Sequence, residues 1–365
     1  MIPVFSLYSG IGGLDLGARI GGLKVVAALD ADEHALAIHD RIFRAHSFHA
    51  RTEDVDIREV VRASDVPRDG SGLLIGGPPC TAFSHAGFWI ETKRNGNDAQ
   101  VNRIVDYLHF VRELRPRAFV MENVPGLLFK NHCLILRRFE AACTRMGYSV
   151  THTILNAADY GVPQRRRRLF VIGVRGKKPF NFMPGPFSER PRTSGWAIGE
   201  LSDNQNPPED DETLRGKYAS LLHAVPLGRN YLVFTERECA NPLFGWRRKY
   251  WSFLLKLHPD KPSPTIPATR ITNSGPFHWN NRHLRITELK RLQSFPDNFP
   301  VDSGSRGRAQ LGNAVPPLFA AQVVWQLRRF LGETRRLPDR LNCALDIQAS
   351  AETVSDALAV GKSYS

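Results

Sequence analysis

The stretch PVFSLYSGIGGLDLGARI, Pro3 to Ile20, decides the fold. Pro3 to Leu7 reads as a short buried strand, and it runs straight into Ser9-Gly10-Ile11-Gly12-Gly13. Leu14 to Ile20 then reads as a helix. Strand, glycine turn and helix together aim backbone N–H groups and a helix N-terminus at a ligand. A second strand, Lys24 to Leu29, ends at Asp30, where doubly wound folds bind ribose hydroxyls. The glycines stand at 10, 12, 13 and 17, so Asp15 occupies a position where the phosphate-binding fingerprint has glycine. A nucleoside ligand without a pyrophosphate fits that spacing, and so does a tight turn that uses glycine only for its positive φ.

Outward from this unit the alternation continues. Asp32 to Phe43 reads as helix, Gly72 to Ile75 as strand, Gln100 to Leu114 as helix, Ala118 to Met121 as strand and Leu134 to Met146 as helix. Ser149 to Leu155 and Leu169 to Val174 are strand-like and suit a terminal hairpin. Strands alternating with helices predict an α/β fold, doubly wound around a mainly parallel sheet. After about Lys177 the periodicity weakens, and a second, smaller, loop-rich domain is expected. The expected boundaries are 1–177, 178–308, a returning segment 309–335, and a polar tail 336–365 read as a short helix or frayed end. Helix signals return at Thr287 to Phe295, with Thr287 as candidate cap, and from Val315 to Leu331.

Lysine plus arginine exceed aspartate plus glutamate, 49 against 36, a formal net charge of +13. A polyanionic partner, nucleic acid first, fits that balance, as does a generally basic enzyme. Cys80, Cys133, Cys143, Cys239 and Cys343 are scattered, which argues against a disulfide framework or a structural zinc site. No apolar run is long enough for a membrane span and no secretory signal is read, so a cytoplasmic protein is expected.

Cys80 follows Gly76-Gly77-Pro78-Pro79 just past a strand end, either as a small buried residue or as a nucleophile. Met121-Glu122-Asn123-Val124 also ends a strand, so Glu122 should emerge in the same crevice. It suits an acid or a partner for a substrate nitrogen, or a carboxylate that caps a helix or pairs with arginine. In the run Gln164-Arg165-Arg166-Arg167-Arg168, residues Gln164, Arg166 and Arg168 would share one face of a strand. A solvated basic run is the alternative.

Together these residues resemble the C5-cytosine-specific DNA methyltransferases, in motif order and over most of the chain. Tyr8 to Gly13 is similar to the first motif, and Gly77-Pro78-Pro79-Cys80 with Phe83-Ser84 to the Pro-Cys motif. Glu122-Asn123-Val124 resembles the Glu-Asn-Val motif, and Gln164, Arg166 and Arg168 the Gln-x-Arg-x-Arg motif. Arg285 to Pro296 and Gln310 to Pro316 resemble the ninth and tenth. The resemblance implies a Rossmann-like methyltransferase sheet and a target-recognition domain. It implies that Cys80 adds to cytosine carbon 6, that Glu122 binds ring nitrogen 3 and the exocyclic amine, that Arg166 holds the base oxygen, and that Gln164 and Arg168 complete the catalytic group, Arg168 positioning the catalytic loop.

S-adenosylmethionine, leaving as S-adenosylhomocysteine, is implied over Tyr8, Ser9, Gly10, Ile11, Gly12, Gly13 and Leu14. Asp30 would meet its ribose and Asp54-Val55 its adenine, with Pro79, Asn313, Ala314 and Val315 completing the pocket. No metal is implied. The implied partner is duplex DNA whose target base is flipped out. The rest of the expectation is a monomer, with a cognate restriction endonuclease acting independently. An RNA cytosine methyltransferase of the same family, or a catalytically silent DNA-binding relative, is the alternative.

The sequence departs from the family in two places. Gln100 follows Asp98-Ala99 where an arginine is common, leaving that contact missing or supplied by Arg103, and Ala31 replaces a frequent aromatic after Asp30. In the second domain Trp246-Arg247-Arg248-Lys249-Tyr250-Trp251 suits contact with a nucleic-acid backbone and stacking, or a small core.

Overall fold

The computed structural model describes residues 1–67, 69–79, 99–129, 133–176, 178–201, 213–269, 271–346 and 348–361, with the side chains of 99–102 excepted. The elements, in chain order, are β1 Pro3–Leu7, α1 Gly13–Ile20, β2 Lys24–Asp30, α2 Glu33–Phe43, β3 His46–His49, α3 Ile57–Ala63, β4 Leu73–Gly76, α4 Ala99–Leu114, β5 Ala118–Asn123, α5 Cys133–Arg145, β6 Tyr148–Asn156, β7 Gln164–Arg165, β8 Arg167–Arg175, α6 Ser194–Ile198, β9 Ser263–Pro264, α7 Ile286–Leu292, α8 Gly304–Asn313, α9 Pro317–Phe330, α10 Asp339–Leu345 and α11 Ala351–Leu358.

The main sheet has seven strands in the order β3-β2-β1-β4-β5-β8-β6. β1 to β5 run parallel, and β8 pairs antiparallel with both β5 and β6, as the hairpin reading expected. Strand alternation sorts side chains to two faces. Val4, Leu73, Ile75, Val120 and Ile172 pack with α1 and α9, while Phe5, Leu74, Phe119, Met121 and Val171 pack with α3, α4 and α5. The chain leaves β1 toward β2 on one side and finds β4 on the other, so the crevice of a doubly wound sheet lies at the carboxyl ends of β1 and β4.

The far end of the chain closes this domain. α9 lies against α1 so tightly that a Cβ on Gly17 would stand 2.4 Å from Ala320 Cβ and 2.7 Å from the Pro317 carbonyl oxygen. Only glycine permits that approach. A separate cluster of Leu222, Val225, Tyr231, Phe244, Phe253, Leu254 and Phe277 forms the core of the loop-rich region.

Some sequence expectations change. β3, half-buried at the sheet edge, and α3, which starts after the Asp56 cap, were not anticipated. α7 begins one residue before Thr287. Its cap is Arg285, whose amide donates to Glu288 Oε2 at 2.8 Å, so Thr287 lies inside the helix. The stretch read as a polar tail supplies α10 and α11, which bury Leu341, Ala344, Val354 and Leu358. Arg192 donates to the Asp346 carbonyl at 2.8 Å, Trp196 Nε1 to the Ala349 carbonyl at 3.1 Å, and the Asp297 amide to Ser355 Oγ at 2.8 Å.

Candidate active site

β1 ends at Leu7, and the chain turns at once. Tyr8, Gly10 and Gly12 all have positive φ, 55°, 53° and 90°. Gly12 also presses on Phe43, and a Cβ there would stand 2.4 Å from its ring. The turn is held by Asp30 at the end of β2. Its Oδ2 accepts from the Gly10 amide at 2.7 Å and its Oδ1 from the Asp32 amide at 2.8 Å. Burial pushes the Asp30 carboxyl up, against the pull of these amides. Asp30 is thus a brace for the glycine loop, beyond the ribose contact expected of it. Ile11, Gly13 and Leu14 are buried beneath the loop. Asp15 is fully buried and faces His39 Nε2 at 3.3 Å.

Val315 closes over this loop, its carbonyl oxygen 2.4 Å from where a Gly13 Cβ would lie. The returning segment therefore meets the start of α1, with Asn313 exposed and Ala314 half-buried beside it. Asp54 is exposed, and Val55 packs into the cluster around Phe5 and Leu29. Thr52, just before them, lies 3.1 Å from the Tyr8 hydroxyl, which links that segment to the glycine loop. The Ser9 hydroxyl is buried and finds no partner among the described residues. A turn rich in positive φ, an orphaned hydroxyl, and a loop clasped between Asp30 and Val315 fit a polar nucleoside ligand.

The neighbouring strand ends supply the second half. β4 and β5 pair in register at Gly76 and Met121, so Gly77 and Glu122 leave the sheet side by side. Glu122 is 9% exposed, and its Oε1 receives Arg168 Nε at 2.9 Å. A Cβ on Gly77 would stand 3.2 Å from Glu122 Oε2. Asn123 donates through Nδ2 to the Pro78 carbonyl at 3.3 Å. The Glu-Asn-Val segment thus grips the Gly-Pro-Pro segment, whose last described residue is the exposed Pro79. Cys80 lies outside the described residues. Burial raises the Glu122 carboxyl, and the charges of Arg168 and Arg166 oppose that shift without reversing it.

Gln164, Arg166 and Arg168 do alternate inward, but they do not act alike. Gln164 belongs to β7, which pairs with β9 in a two-stranded sheet, and Arg168 to β8 of the main sheet. Gln164 Nε2 donates to the Leu292 carbonyl at 3.2 Å and to Gln293 Oε1 at 3.1 Å, and its Oε1 accepts from the Ile266 amide at 3.3 Å. Arg166 is 1% exposed and donates through Nη2 to the Gly312 and Ala314 carbonyls at 2.8 and 3.0 Å. These two residues tie β7 and β8 to the ends of α7 and α8. Of these three, Arg168 is the one that pairs with Glu122 among the described residues, while the Arg166 guanidinium, expected at the base oxygen, is bound to the Gly312 and Ala314 carbonyls.

Sequence reading missed the polar group of Thr52 and Asp106 around Arg103. These residues come from segments remote in sequence, and only the departure at Gln100 drew notice to Arg103. In the loop-rich region the core is built of phenylalanine, tyrosine, leucine and valine, and Trp246 and Trp251 lie outside it. Trp251 is 62% exposed, and Arg237 stacks 3.7 Å above the Trp246 ring.

Comparison with known proteins agrees with this geometry. The model of the C-5 cytosine-specific DNA methylase family matches residues 2–329. Type II methyltransferase M.SacI of Streptomyces achromogenes is 38% identical, over 91% of this chain and 94% of that protein. Type II methyltransferase M.XorII of Xanthomonas oryzae pv. oryzae is 30% identical, over 97% of this chain and 91% of its own length. The solved structure of Entamoeba histolytica methyltransferase EhMeth superposes with a TM-score of 0.59 at 17% identity, covering 91% of this chain and 99% of that one, a likeness of fold.

Proposed function

The chain belongs to the C-5 cytosine-specific DNA methylase family and is a DNA cytosine-5 methyltransferase, and from that premise we propose how its own residues carry the reaction. S-adenosylmethionine is the methyl donor the family implies, and when bound it supplies an electrophilic methyl on a sulfonium. Tyr8 to Leu14, Asp30, Asp54, Val55, Pro79 and Asn313 to Val315 are the residues that would hold it.

The target base has to leave the duplex stack to be reached, at roughly a few kcal/mol. Cys80 then adds as thiolate to carbon 6. A bond forms from sulfur, and the ring's electron pair moves toward carbon 5 and nitrogen 3, making carbon 5 nucleophilic. Glu122 answers the charge that develops at nitrogen 3. Burial favours its protonated form, which suits donation to nitrogen 3, while its other oxygen accepts from the exocyclic amine. After carbon 5 is methylated it loses its proton to a base, and sulfur leaves, restoring the aromatic ring.

The two arginines exchange their expected roles in this reading. Arg168, which holds Glu122, is the candidate for the base oxygen, while Arg166 and Gln164 brace the junction behind it. The observation that carries the proposal is Glu122, fixed by Arg168 on one oxygen and facing Gly77 with the other, three residues before Cys80. Residues 178–308 are the candidate target-recognition domain, with Trp246 to Trp251 on its DNA-facing side, and 309–335 the segment that returns to the catalytic domain. Modification of the Type II kind, by a monomer beside an independent endonuclease, completes the proposal.

The test is transfer of labelled methyl from S-adenosylmethionine to duplex DNA, with the modified base located by bisulfite sequencing. Cys80→Ala should transfer nothing while still binding DNA. A target duplex bearing 5-fluorocytosine should trap wild type covalently, since the proton at carbon 5 is replaced. No adduct on a demonstrated target would refute the role of Cys80, and transfer to RNA alone would refute the DNA substrate.

A further inference from the structure

A buried polar network stands beside the glycine loop and has no place in the chemistry above. Thr52, 3% exposed, lies after β3, and Arg103, 9% exposed, lies in α4. Thr52 Oγ1 donates to Asp106 Oδ2 at 2.8 Å and accepts from Arg103 Nη1 at 3.1 Å. Arg103 Nη1 also reaches Asp106 Oδ2 at 2.9 Å, and Nη2 pairs with Glu53. The guanidinium is thereby clamped between two carboxylates from different segments, in the fork geometry that lysine lacks.

Tyr8 closes the network. Its hydroxyl lies 3.1 Å from Thr52 Oγ1 and donates to the Arg103 carbonyl at 3.1 Å. The Thr52 proton is committed to Asp106, so the single Tyr8 proton serves the Arg103 carbonyl and is at most shared with Thr52 Oγ1, and burial pushes the tyrosine pKa up and keeps that proton in place. Tyr8 holds φ at 55°, a left-handed conformation costly for a residue with a Cβ and kept only when the surroundings impose it. The surroundings here are this network on the side chain and the Asp30 brace on the turn that follows.

We infer that Thr52, Arg103 and Asp106 are positioning residues for methyl-donor binding: they fix Tyr8, and through it the glycine loop, in the conformation that receives S-adenosylmethionine, and tie that loop to α4. The inference rests on the proposed placement of the donor over Tyr8 to Leu14. None of these three side chains need touch the donor. Arg103 thereby supplies, from within the helix, a charged anchor that the sequence lacks at Gln100.

The experiment compares wild type with Tyr8→Phe, Thr52→Val, Arg103→Met and Arg103→Lys. Dissociation constants for S-adenosylmethionine are taken by titration calorimetry without DNA, KM and kcat on a demonstrated target duplex, and melting temperatures alongside. Losing one or two buried hydrogen bonds that orient the loop should weaken donor binding about five- to tenfold in Thr52→Val and Arg103→Met. Arg103→Lys should recover part of that loss. KM for the donor should rise in step while KM for DNA moves less than about twofold, a split that loss of stability alone does not produce. Tyr8→Phe, which keeps the ring and removes only the hydroxyl, should show the same split if Thr52→Val proves unstable. Donor affinity within about twofold of wild type in the folded variants would overturn the inference. If wild type itself binds no S-adenosylmethionine, the placement of the donor fails and this inference falls with it. Wild type binding tightly and the variants equally tightly defeats the inference alone.

Discussion

Arg166→Met isolates the worth of the junction behind the site. The guanidinium makes two good hydrogen bonds, to the Gly312 and Ala314 carbonyls at 2.8 and 3.0 Å, and a third to Ile266 at 3.5 Å that is too long to count. Hydrogen bonds from a charged donor contribute about 1.5–3 kcal/mol each, so the two give about 3–6 kcal/mol. Against this stands the burial of a charge. Burial first, then repulsion from Arg168, holds Arg166 well below the usual arginine range, and Glu122 offsets only part of that. Removing the charge returns some of this penalty but strands one buried and one half-buried carbonyl. A net destabilisation of about 2–4 kcal/mol is expected, a large share of the roughly 5–15 kcal/mol that holds a domain together. Urea unfolding followed by tryptophan fluorescence reads it as a lower midpoint at unchanged slope. Arg166→Lys, with a point charge in place of a fork, should lose about half as much. Arg166→Met as stable as wild type, within about 1 kcal/mol, would show that the carbonyl bonds do not outweigh the buried charge and would refute the brace.

Gly17→Val drives a branched side chain into Ala320 and the Pro317 carbonyl, both closer than 3 Å to the first carbon alone. Overpacking of that kind costs about 1–3 kcal/mol or more, so a clear fall in melting temperature is expected, and an unchanged melting curve would mean that α1 and α9 do not meet so closely. Glu122→Gln tests the raised carboxyl through pH. The folded pKa lies above the ordinary 4.5, so the stability linked to this group is fully present below that value and is lost as pH rises through the folded pKa. The glutamine variant should therefore gain on wild type in unfolding free energy as pH climbs from about 4 toward 8, and a gap that stays constant over that range would contradict the shift.

The sheet was legible because its central strands are buried on both faces and each is followed by a helix or a glycine turn. Pro3–Leu7, Leu73–Gly76 and Ala118–Asn123 all announce themselves in that way. His46–His49 does not. As an edge strand with two exposed histidines around half-buried Ser47 and Phe48, it carries no hydrophobic alternation to read. α3 contributes only Val60 and Val61 to the core, and α10 and α11 bury a few residues on otherwise polar turns, so their periodicity is too short to stand out. The candidate constellation was visible as motifs, yet Arg166 and Arg168 were interchangeable by spacing alone. Their tertiary partners separate them, carbonyls of α8 and its C-cap for one and a carboxylate of β5 for the other. Thr52 and Asp106 were invisible for the same reason, and Arg103 drew notice only through the departure at Gln100: the three become a cluster only when the segment after β3 is laid against α4.

The apposition of α1 and α9 also has a temporal side. The partner of Gly13–Ile20 is Pro317–Phe330, roughly 300 residues downstream. At a ribosomal rate of about 5–20 residues per second, α1 waits roughly 15–60 s before its cover is made. The opposite face of the sheet has no such delay, since α3, α4 and α5 all precede β8. The two sides of the sheet are therefore completed at different times, and the apolar side of α1 that meets α9 stays uncovered until nearly the whole of the loop-rich region has been translated.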